Sequence, residues 1–330
     1  MNTAVVILNW NGKQLLETFL PSVVENTSEA TIFVADNASS DNSIQFLKTN
    51  YPEIKIIQNK INGGFAKGYN DALKHIDADI FVLLNSDVEV TQNWLTPVIN
   101  HLKAHPEVVA AQPKILDYKN KTYFEYAGAA GGFIDKFGYP FCRGRIFNTI
   151  EEDKGQYNDI SSIFWASGAC FFVKSAAFWE AGGFDEDYFA HQEEIDLCWR
   201  IYNKNQKVSY VGTSRVYHLG GATLKNSNPK KTFLNFRNSL FSLLKNAPSN
   251  QLFYLIFVRM LLDGIAATQF LLSFQPLHFL AVCKAHFSFY ANFKKIYHKR
   301  LFNKCIKKYY KVYLLIYLYI FKHKKRFNSL

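Results

Sequence analysis

The chain has 330 residues, 48% of them hydrophobic, which suits one large domain with a sizeable core plus an appendage and excludes disordered or collagen-like classes. The net charge of +11 is concentrated at one end: Asp263 is the last acidic residue, residues 264–330 carry 13 Lys and Arg, and residues 1–263 stand near −2. That basic stretch is interleaved with Phe, Tyr, Leu and Ile rather than with RNA-binding signatures, so the expected partner is an anionic membrane surface and not nucleic acid.

The first 115 residues alternate short β-branched runs with amphipathic stretches. In order they are AVVILNW, a helical pattern over Lys13–Val24, TIFVAD, a helix over Ser40–Lys48, KIIQN, a helical stretch near Phe65–His75, and the apolar run IFVLLNSD. Strands alternating with helices predict βαβ units and a mainly parallel sheet whose carboxyl ends gather the ligand loops. Tyr118–Asn158 is Gly- and aromatic-rich, which predicts hairpins and a mobile loop, and no chemistry is assigned to it. A strand-like ASGACFFVK follows, then a turn at Gly182 and Gly183, a helix over about Glu193–Asn203, and a strand ending at Val216–His218.

Beyond Asn246, LFYLIFVRMLLDGIAATQFLLSF is long enough to cross a bilayer only with Arg259 and Asp263 in its middle, at about 2.5–3.5 kcal/mol each. The apolar run Val312–Phe321 has ten residues, where a span needs roughly 20. Both segments are expected to be interfacial, with Lys307, Lys308, Lys311 and the basic residues of 322–326 meeting anionic headgroups. The five cysteines (Cys142, Cys170, Cys198, Cys283, Cys305) are odd in number and lack C-x-x-C or zinc spacing, which fits a reducing compartment. No basic n-region or cleavage site precedes Asn9 and Asn11, so the expectation is a cytosolic protein, peripheral on the inner face of the cell membrane.

Several short segments carry polar groups to strand ends. In VADNASSDNS, Asp36 ends the second strand, where a carboxylate can accept from a base N–H or a ribose hydroxyl; a turn and helix cap explains the same residues locally. INGGFAKGYN lacks the G-K-[ST] ending of a phosphate loop, and the first strand does not lead into G-x-G-x-x-G, which argues against a P-loop enzyme and a dinucleotide dehydrogenase. Gly63 and Gly64 can still let the backbone approach a ligand closely. In IFVLLNSDVEV, Asn85, Ser86 and Asp87 arrive together at a strand end, where Asp87 can reach a cation bound to a diphosphate.

In HQEEIDLCWR, Glu193, Asp196 and Arg200 share one helical stripe and can pair, for tenths of a kcal/mol if exposed. Glu194 shares a stripe with Leu197, Cys198 and Ile201, so it sits at the edge of the apolar face, where desolvation raises its basicity and makes it the better general-base candidate by spacing. His218 in VYHLGGATL follows a strand and can complete a metal site or meet a phosphate.

Taken in order, VVILNWNG, VADNASSDNS, NGGFAKGYN, LLNSDV, ASGA, EEIDLCWR and HLGGATL resemble the family 2 glycosyltransferases, especially the bacterial rhamnosyltransferase-like members, over roughly residues 3–240. The resemblance implies a GT-A fold, an α/β nucleotide-diphospho-sugar transferase architecture, and an inverting single displacement. It implies a donor site including Asn9, Asp36, Asn37, Asp41, Gly63, Gly64, Asn85, Ser86 and Asp87. Asp87 falls on the last residue of the family's D-x-D-like element, with Asn85 in place of its first Asp. Glu194 falls on the base position with Glu193 in reserve, Asp87 and His218 on the metal-binding positions for Mn²⁺ or Mg²⁺, and Ser167, Gly168 and Ala169 on a loop near donor and acceptor. Arg237 and Asn238 match a pair to which spacing assigns no role.

The expected organisation is a catalytic domain over residues 1–246, with a nucleotide-sugar half (1–115) and an acceptor half (116–246), followed by a basic helical membrane-association region over 247–330. The expected activity moves a sugar, rhamnose by the branch, from a dTDP- or UDP-sugar to a lipid-linked or cell-surface glycan acceptor. The competing expectation is a non-catalytic nucleotide-sugar-binding scaffold of a polysaccharide assembly complex.

Overall fold

The computed structural model describes residues 1–220, 228–300 and 308–330. Gly221, Ala222, Thr223 and Leu224 of the HLGGATL segment, together with Cys305 and Lys307, lie outside the described residues. The strands are β1 (Thr3–Asn9), β2 (Thr31–Asp36), β3 (Lys55–Gln58), β4 (Ile80–Asn85), β5 (Val88–Val90), β6 (Val108–Asp117), β7 (Gly132–Ile134), β8 (Pro140–Cys142), β9 (Arg145–Ile146), β10 (Thr149–Ile150), β11 (Ile160–Ile163), β12 (Cys170–Lys174) and β13 (Lys207–His218). The helices are α1 (Lys13–Glu25), α2 (Ser43–Asn50), α3 (Gly64–Leu73), α4 (Thr96–Ala104), α5 (Ser175–Glu180), α6 (Glu193–Asn203), α7 (Pro229–Asn246), α8 (Leu252–Leu272), α9 (Pro276–His298) and α10 (Leu315–Ile320).

A nine-stranded sheet among the described residues runs β11-β13-β6-β12-β4-β1-β2-β3, with β5 joined to β13. Strands β1 and β4 read as unbroken apolar runs because both of their faces are covered, and nearly every residue in them is buried. Helix-bearing layers on the two faces build two apolar cores, one around Tyr69, Phe81, Phe171 and Trp199, the other around Val5, Leu20, Trp94 and Phe172. The sheet is mixed. Pairs β1/β2, β1/β4, β2/β3 and β6/β13 are parallel, while β12 inserts antiparallel between β4 and β6. The Gly- and aromatic-rich segment folds as a small antiparallel sheet, β10-β9-β8-β7.

The C-terminal region packs directly on this domain. Helices α7 and α9 run side by side in the same direction: Thr232 meets His278 at 2.8 Å near their starts, and the Arg300 guanidinium donates to the Leu244 carbonyl at 2.7 Å near their ends. Arg259 and Asp263, considered above as charges at a bilayer centre, face the protein interior instead. They pair at 2.7 Å, Asp263 accepts from the Tyr139 hydroxyl at 3.0 Å, and Arg259 donates to the Phe137 carbonyl at 3.0 Å. The run Val312–Phe321 is helical only in part. Val312 bridges Asp135, Leu315 donates its N–H to the buried Asp135 carboxylate at 3.0 Å, and the helical part is only α10.

Candidate active site

Strands β1, β2, β4, β6 and β13 all end on one edge of the sheet, and the chain crosses from one side of β1 to the other in the order β3-β2-β1-β4. The crevice outside β1 and β4 is therefore a topological switch point, where an open α/β sheet binds its ligands.

On one side of this crevice a polar lattice fixes the strand ends. Asn9 donates its Nδ2 to Asp36 Oδ1 at 3.1 Å and to Ser39 Oγ at 3.2 Å, and the Ser39 N–H donates back to Asp36 Oδ2 at 2.9 Å. Asp41 accepts from the Lys13 N–H at 3.0 Å and the Ser43 hydroxyl at 2.5 Å, joining the starts of α1 and α2. Asn37 donates to Asn62 Oδ1 and the Gly64 carbonyl, both at 3.0 Å, and accepts from Asn59 at 3.1 Å. Asn37 and Asp41 thus shape the loops, whereas Asn9 Oδ1 is buried without a partner. Gly63 stands at the start of α3. Gly64 has φ +79°, and a Cβ there would strike the Phe189 carbonyl, so only glycine permits this approach.

At the end of β4, Asn85 and Ser86 are half-buried and Asp87 is buried. β5 pairs antiparallel with the end of β13, setting Val88 opposite His218. His218 Nε2 lies 3.2 Å from Asp87 Oδ1 and 3.4 Å from Asn85 Nδ2, and its Nδ1 lies 3.4 Å from Glu125 Oε1. Burial works against a charged imidazole, but Glu125 and Asp87 outweigh it and raise His218 to about 10. Burial likewise works to raise Asp87, and the His218 charge holds it below its ordinary value. Glu125 lies in the Gly- and aromatic-rich segment to which the sequence assigns no chemistry, and the structure brings it beside His218. Gly220, with φ +66°, leaves room for this carboxylate, since a Cβ there would come to 3.1 Å from it.

No cluster of three or more His, Cys, Asp and Glu among the described residues forms a ready cation cage. Asp87 and His218 nevertheless offer two donors 3.2 Å apart, close to the roughly 3.0 Å that separates adjacent corners of an octahedron with ~2.1 Å bonds. A carboxylate–imidazole pair plus phosphate oxygens is a donor set that suits Mg²⁺ or Mn²⁺, and Asp87 and His218 are the residues that would hold such a cation.

The opposite wall is the start of α6. Its approach is strained: Phe189, His191 and Gln192 all have positive φ (63°, 69° and 70°). Asn238 clamps it, its Nδ2 donating to the carbonyls of Tyr188 at 3.1 Å, Ala190 at 2.9 Å and His191 at 2.7 Å, while Arg237 donates to those of Asp187 and Tyr188 at 3.0 and 3.1 Å. These bonds supply the role that spacing did not give to Arg237 and Asn238. Glu193 is buried and Glu194 half-buried, and one carboxylate oxygen of each is shielded without a partner. Burial raises Glu194 to about 7, only partly offset by backbone amides at the helix start. Burial and the neighbouring Glu194 charge push Glu193 well above its ordinary value. Burial also depresses His191 to about 4, with Lys231 acting in the same direction, so its imidazole is neutral at physiological pH.

Asp196 and Arg200 pair at 2.9 Å as the helical spacing anticipates, but not at the surface. Asp196 is fully buried and also accepts from Lys245 at 2.8 Å and Asn246 at 2.8 Å, so the exposed-pair estimate does not apply. Breaking so buried a network leaves an uncompensated charge, which costs about 3–5 kcal/mol.

The two walls meet through main chain. The Phe65 N–H donates to the Phe189 carbonyl at 2.7 Å, Gly168 faces the Phe65 ring, and the Asn85 N–H donates to the Ala169 carbonyl at 3.0 Å. Ser167 is buried, its N–H held by Gln112 at 2.9 Å and its hydroxyl accepting from Ala169 at 3.2 Å. Tyr69 is buried and donates its hydroxyl to the Leu84 carbonyl at 3.1 Å, so α3 is tied to the end of β4, and these main-chain contacts bring the sheet-edge pair and the acidic start of α6 to one site.

Comparison with known proteins agrees with this architecture. The family model for glycosyl transferase family 2 matches residues 4–182. An N-acetylglucosaminyl-diphospho-decaprenol L-rhamnosyltransferase of Mycobacterium tuberculosis is 26% identical over 230 residues, 65% of this chain and 75% of that protein. The rhamnosyltransferase WbbL of Escherichia coli K12 is 22% identical over 221 residues, 65% of this chain and 82% of that protein. Among solved structures, GalNAc-T7 with UDP, GalNAc and Mn²⁺ superposes with a TM-score of 0.54 at 20% identity, over 66% of this chain and 43% of that one. The Pyrobaculum calidifontis mannosyltransferase PcManGT with GDP-Man and Mn²⁺ gives a TM-score of 0.52 at 14% identity, over 88% and 75%. These two likenesses establish the GT-A fold.

Proposed function

The chain belongs to glycosyl transferase family 2, in its rhamnosyltransferase-like branch, and on that premise we propose that it transfers a sugar, rhamnose by the branch, from a dTDP- or UDP-sugar to a lipid-linked glycan acceptor at the cytoplasmic face of a membrane. The observation that carries this reading is the joining, through the Phe65–Phe189 and Asn85–Ala169 main-chain bonds at one switch-point crevice, of a shielded carboxylate pair on α6 and the Asp87–His218 pair at the sheet edge.

In this reading Glu194 takes the proton of the acceptor hydroxyl, the oxygen attacks the anomeric carbon from the face opposite the diphosphate, and the bond to the diphosphate breaks with its electron pair leaving on that group. Glu194 suits this task because its basicity lies near neutral pH, where a base both stays deprotonated and accepts protons well. In the same reading Asp36 and Asn9 would meet the base or ribose, and Ser167, Gly168 and Ala169 would border the reacting centre. Asp87 and His218 would hold a divalent cation, Mn²⁺ or Mg²⁺, which when bound neutralises charge developing on the diphosphate.

The test is thermal stabilisation of the purified protein by dTDP, UDP and GDP, each with and without Mn²⁺ or Mg²⁺. A ligand at 100 times its dissociation constant adds about 2.7 kcal/mol. One diphosphate stabilising only with metal is the expected result and narrows the donor to that nucleotide's sugars; no stabilisation by any of them overturns the donor site.

A further inference from the structure

Helices α8 and α9 form a hairpin that carries exposed large apolar side chains along its length, and its end is also free of charge. Twenty consecutive residues, 264–283, contain no Asp, Glu, Lys or Arg. At the turn Phe274 is 94% exposed and Leu272 76%, and Leu271, Leu277 and Leu280 are exposed beside them. A contiguous cluster of large apolar side chains is the kind of patch a soluble surface avoids.

The charges that bound this patch are basic. Lys284 on α9 and Lys230 at the start of α7 are both exposed, and no acidic residue follows Asp263 anywhere in the chain. From Gly264 to Leu272 the charge-free part of α8 rises about 13 Å, and the first turns of α9 up to Cys283 rise about 12 Å. Because α7 starts beside His278, Lys230 stands near the level of the turn, so the apolar end can enter only as far as the upper acyl region, about 5–10 Å. The whole of α8 is long and apolar enough to cross a membrane by composition, but its root is tied into the protein by Arg259 and Asp263.

The hairpin end also stands next to the active-site mouth. His278, one turn into α9, contacts Thr232 of α7 at 2.8 Å; Lys230 lies over the Phe189 ring at 4.9 Å; and Asn238, which clamps the α6 approach, is six residues or about 9 Å further along α7. We propose that the tip of the hairpin, residues 271–280, enters the headgroup and upper acyl region of one leaflet of an anionic phospholipid bilayer and holds the active-site mouth against the headgroup layer. The basic residues at its margin meet the phosphates, and an acceptor carried on a lipid reaches Glu194 without leaving the membrane. This rests on the membrane part of the proposed function and not on the identity of the donor.

The experiment is flotation of the full-length protein with phosphatidylglycerol/phosphatidylcholine vesicles, comparing wild type with the double variant Leu272→Asp/Phe274→Asp. A third variant, Phe274→Trp, is mixed with vesicles brominated high in the acyl chain. Both altered side chains are exposed, so the variants should keep the wild-type melting temperature and nucleotide response. The expected results are wild-type flotation, at least a tenfold loss of partitioning in the double variant, and bromine quenching of the Phe274→Trp emission beyond that of wild type. If the double variant floats as well as wild type, or Phe274→Trp is not quenched, the hairpin inference falls while membrane association stands. If wild type does not float, both fall. If instead the double variant turns a lipid-free dimer into a monomer while wild type ignores vesicles, the patch covers a second copy of the chain and the inference is overturned.

Discussion

The side-chain amide of Asn238 lies 2.7 Å from the carbonyl of His191, and the same nitrogen serves two further carbonyls of the loop that leads into α6. Asn238→Ala removes these donors and leaves carbonyls of a left-handed segment without partners, at about 1–3 kcal/mol for each group that finds no substitute. We expect a lower melting temperature and at least a tenfold fall in kcat, because the loop that aims Glu194 loses its clamp. A melting shift with unchanged kcat would show that the loop position does not matter to the chemistry.

Glu193 and Glu194 are adjacent and burial raises both, Glu194 to about 7 and Glu193 well above its ordinary value with the Glu194 charge adding to the effect. Glu194→Gln should lower kcat by 10²–10⁴-fold with metal-dependent nucleotide binding retained. Glu193→Gln should act weakly, since burial and the neighbouring Glu194 charge favour the neutral form of Glu193, which the amide resembles. Equal losses in both would shift the base assignment to the pair; no loss in either would favour the scaffold reading.

The raised carboxyl of Glu194 also fixes the sign of two pH dependences. Activity should rise with pH through about 7 as Glu194 loses its proton. Stability should move the other way. Between its ordinary 4.5 and about 7, the folded protein holds a proton that the unfolded chain has released, so unfolding becomes easier as pH rises, by roughly 3 kcal/mol in full. Urea midpoints at pH 5 and pH 8 check this, and Glu194→Gln should flatten the difference.

Asp87→Asn and His218→Ala each remove one of two donors 3.2 Å apart. Both should abolish the metal-dependent part of nucleotide stabilisation while leaving any metal-independent part in place. Glu125→Gln keeps the shape beside His218 Nδ1 and removes one charge; it should weaken the apparent metal affinity by 10- to 100-fold, as loss of a carboxylate behind a ligating imidazole does. Unchanged metal dependence in Asp87→Asn would remove the cation site from the reading.

Much of this was legible because it is local. Apolar runs such as AVVILNW and IFVLLN announce buried strands, and the four-residue spacing of Asp196 and Arg200 announces their pairing. What was not legible depends on distant partners. Glu125 reaches His218 from a segment with no periodic pattern, and Asp263 finds Tyr139 from 124 residues away. Asn238 and Arg237 stayed mute because they bind carbonyls, which every residue carries and no side-chain pattern marks. The burial of Asp196 beneath Lys245 turned an exposed pair into a network for the same reason.

The seam between the two walls of the crevice runs from the Phe65 amide to the Phe189 carbonyl. An alanine scan is blind to such a joint, since truncating either phenylalanine leaves the amide and the carbonyl in place. Only substitutions that alter the backbone itself will report on it, a proline at position 65 or any side chain at Gly64. A survey confined to side chains would record this contact as silent while the two halves of the site depended on it.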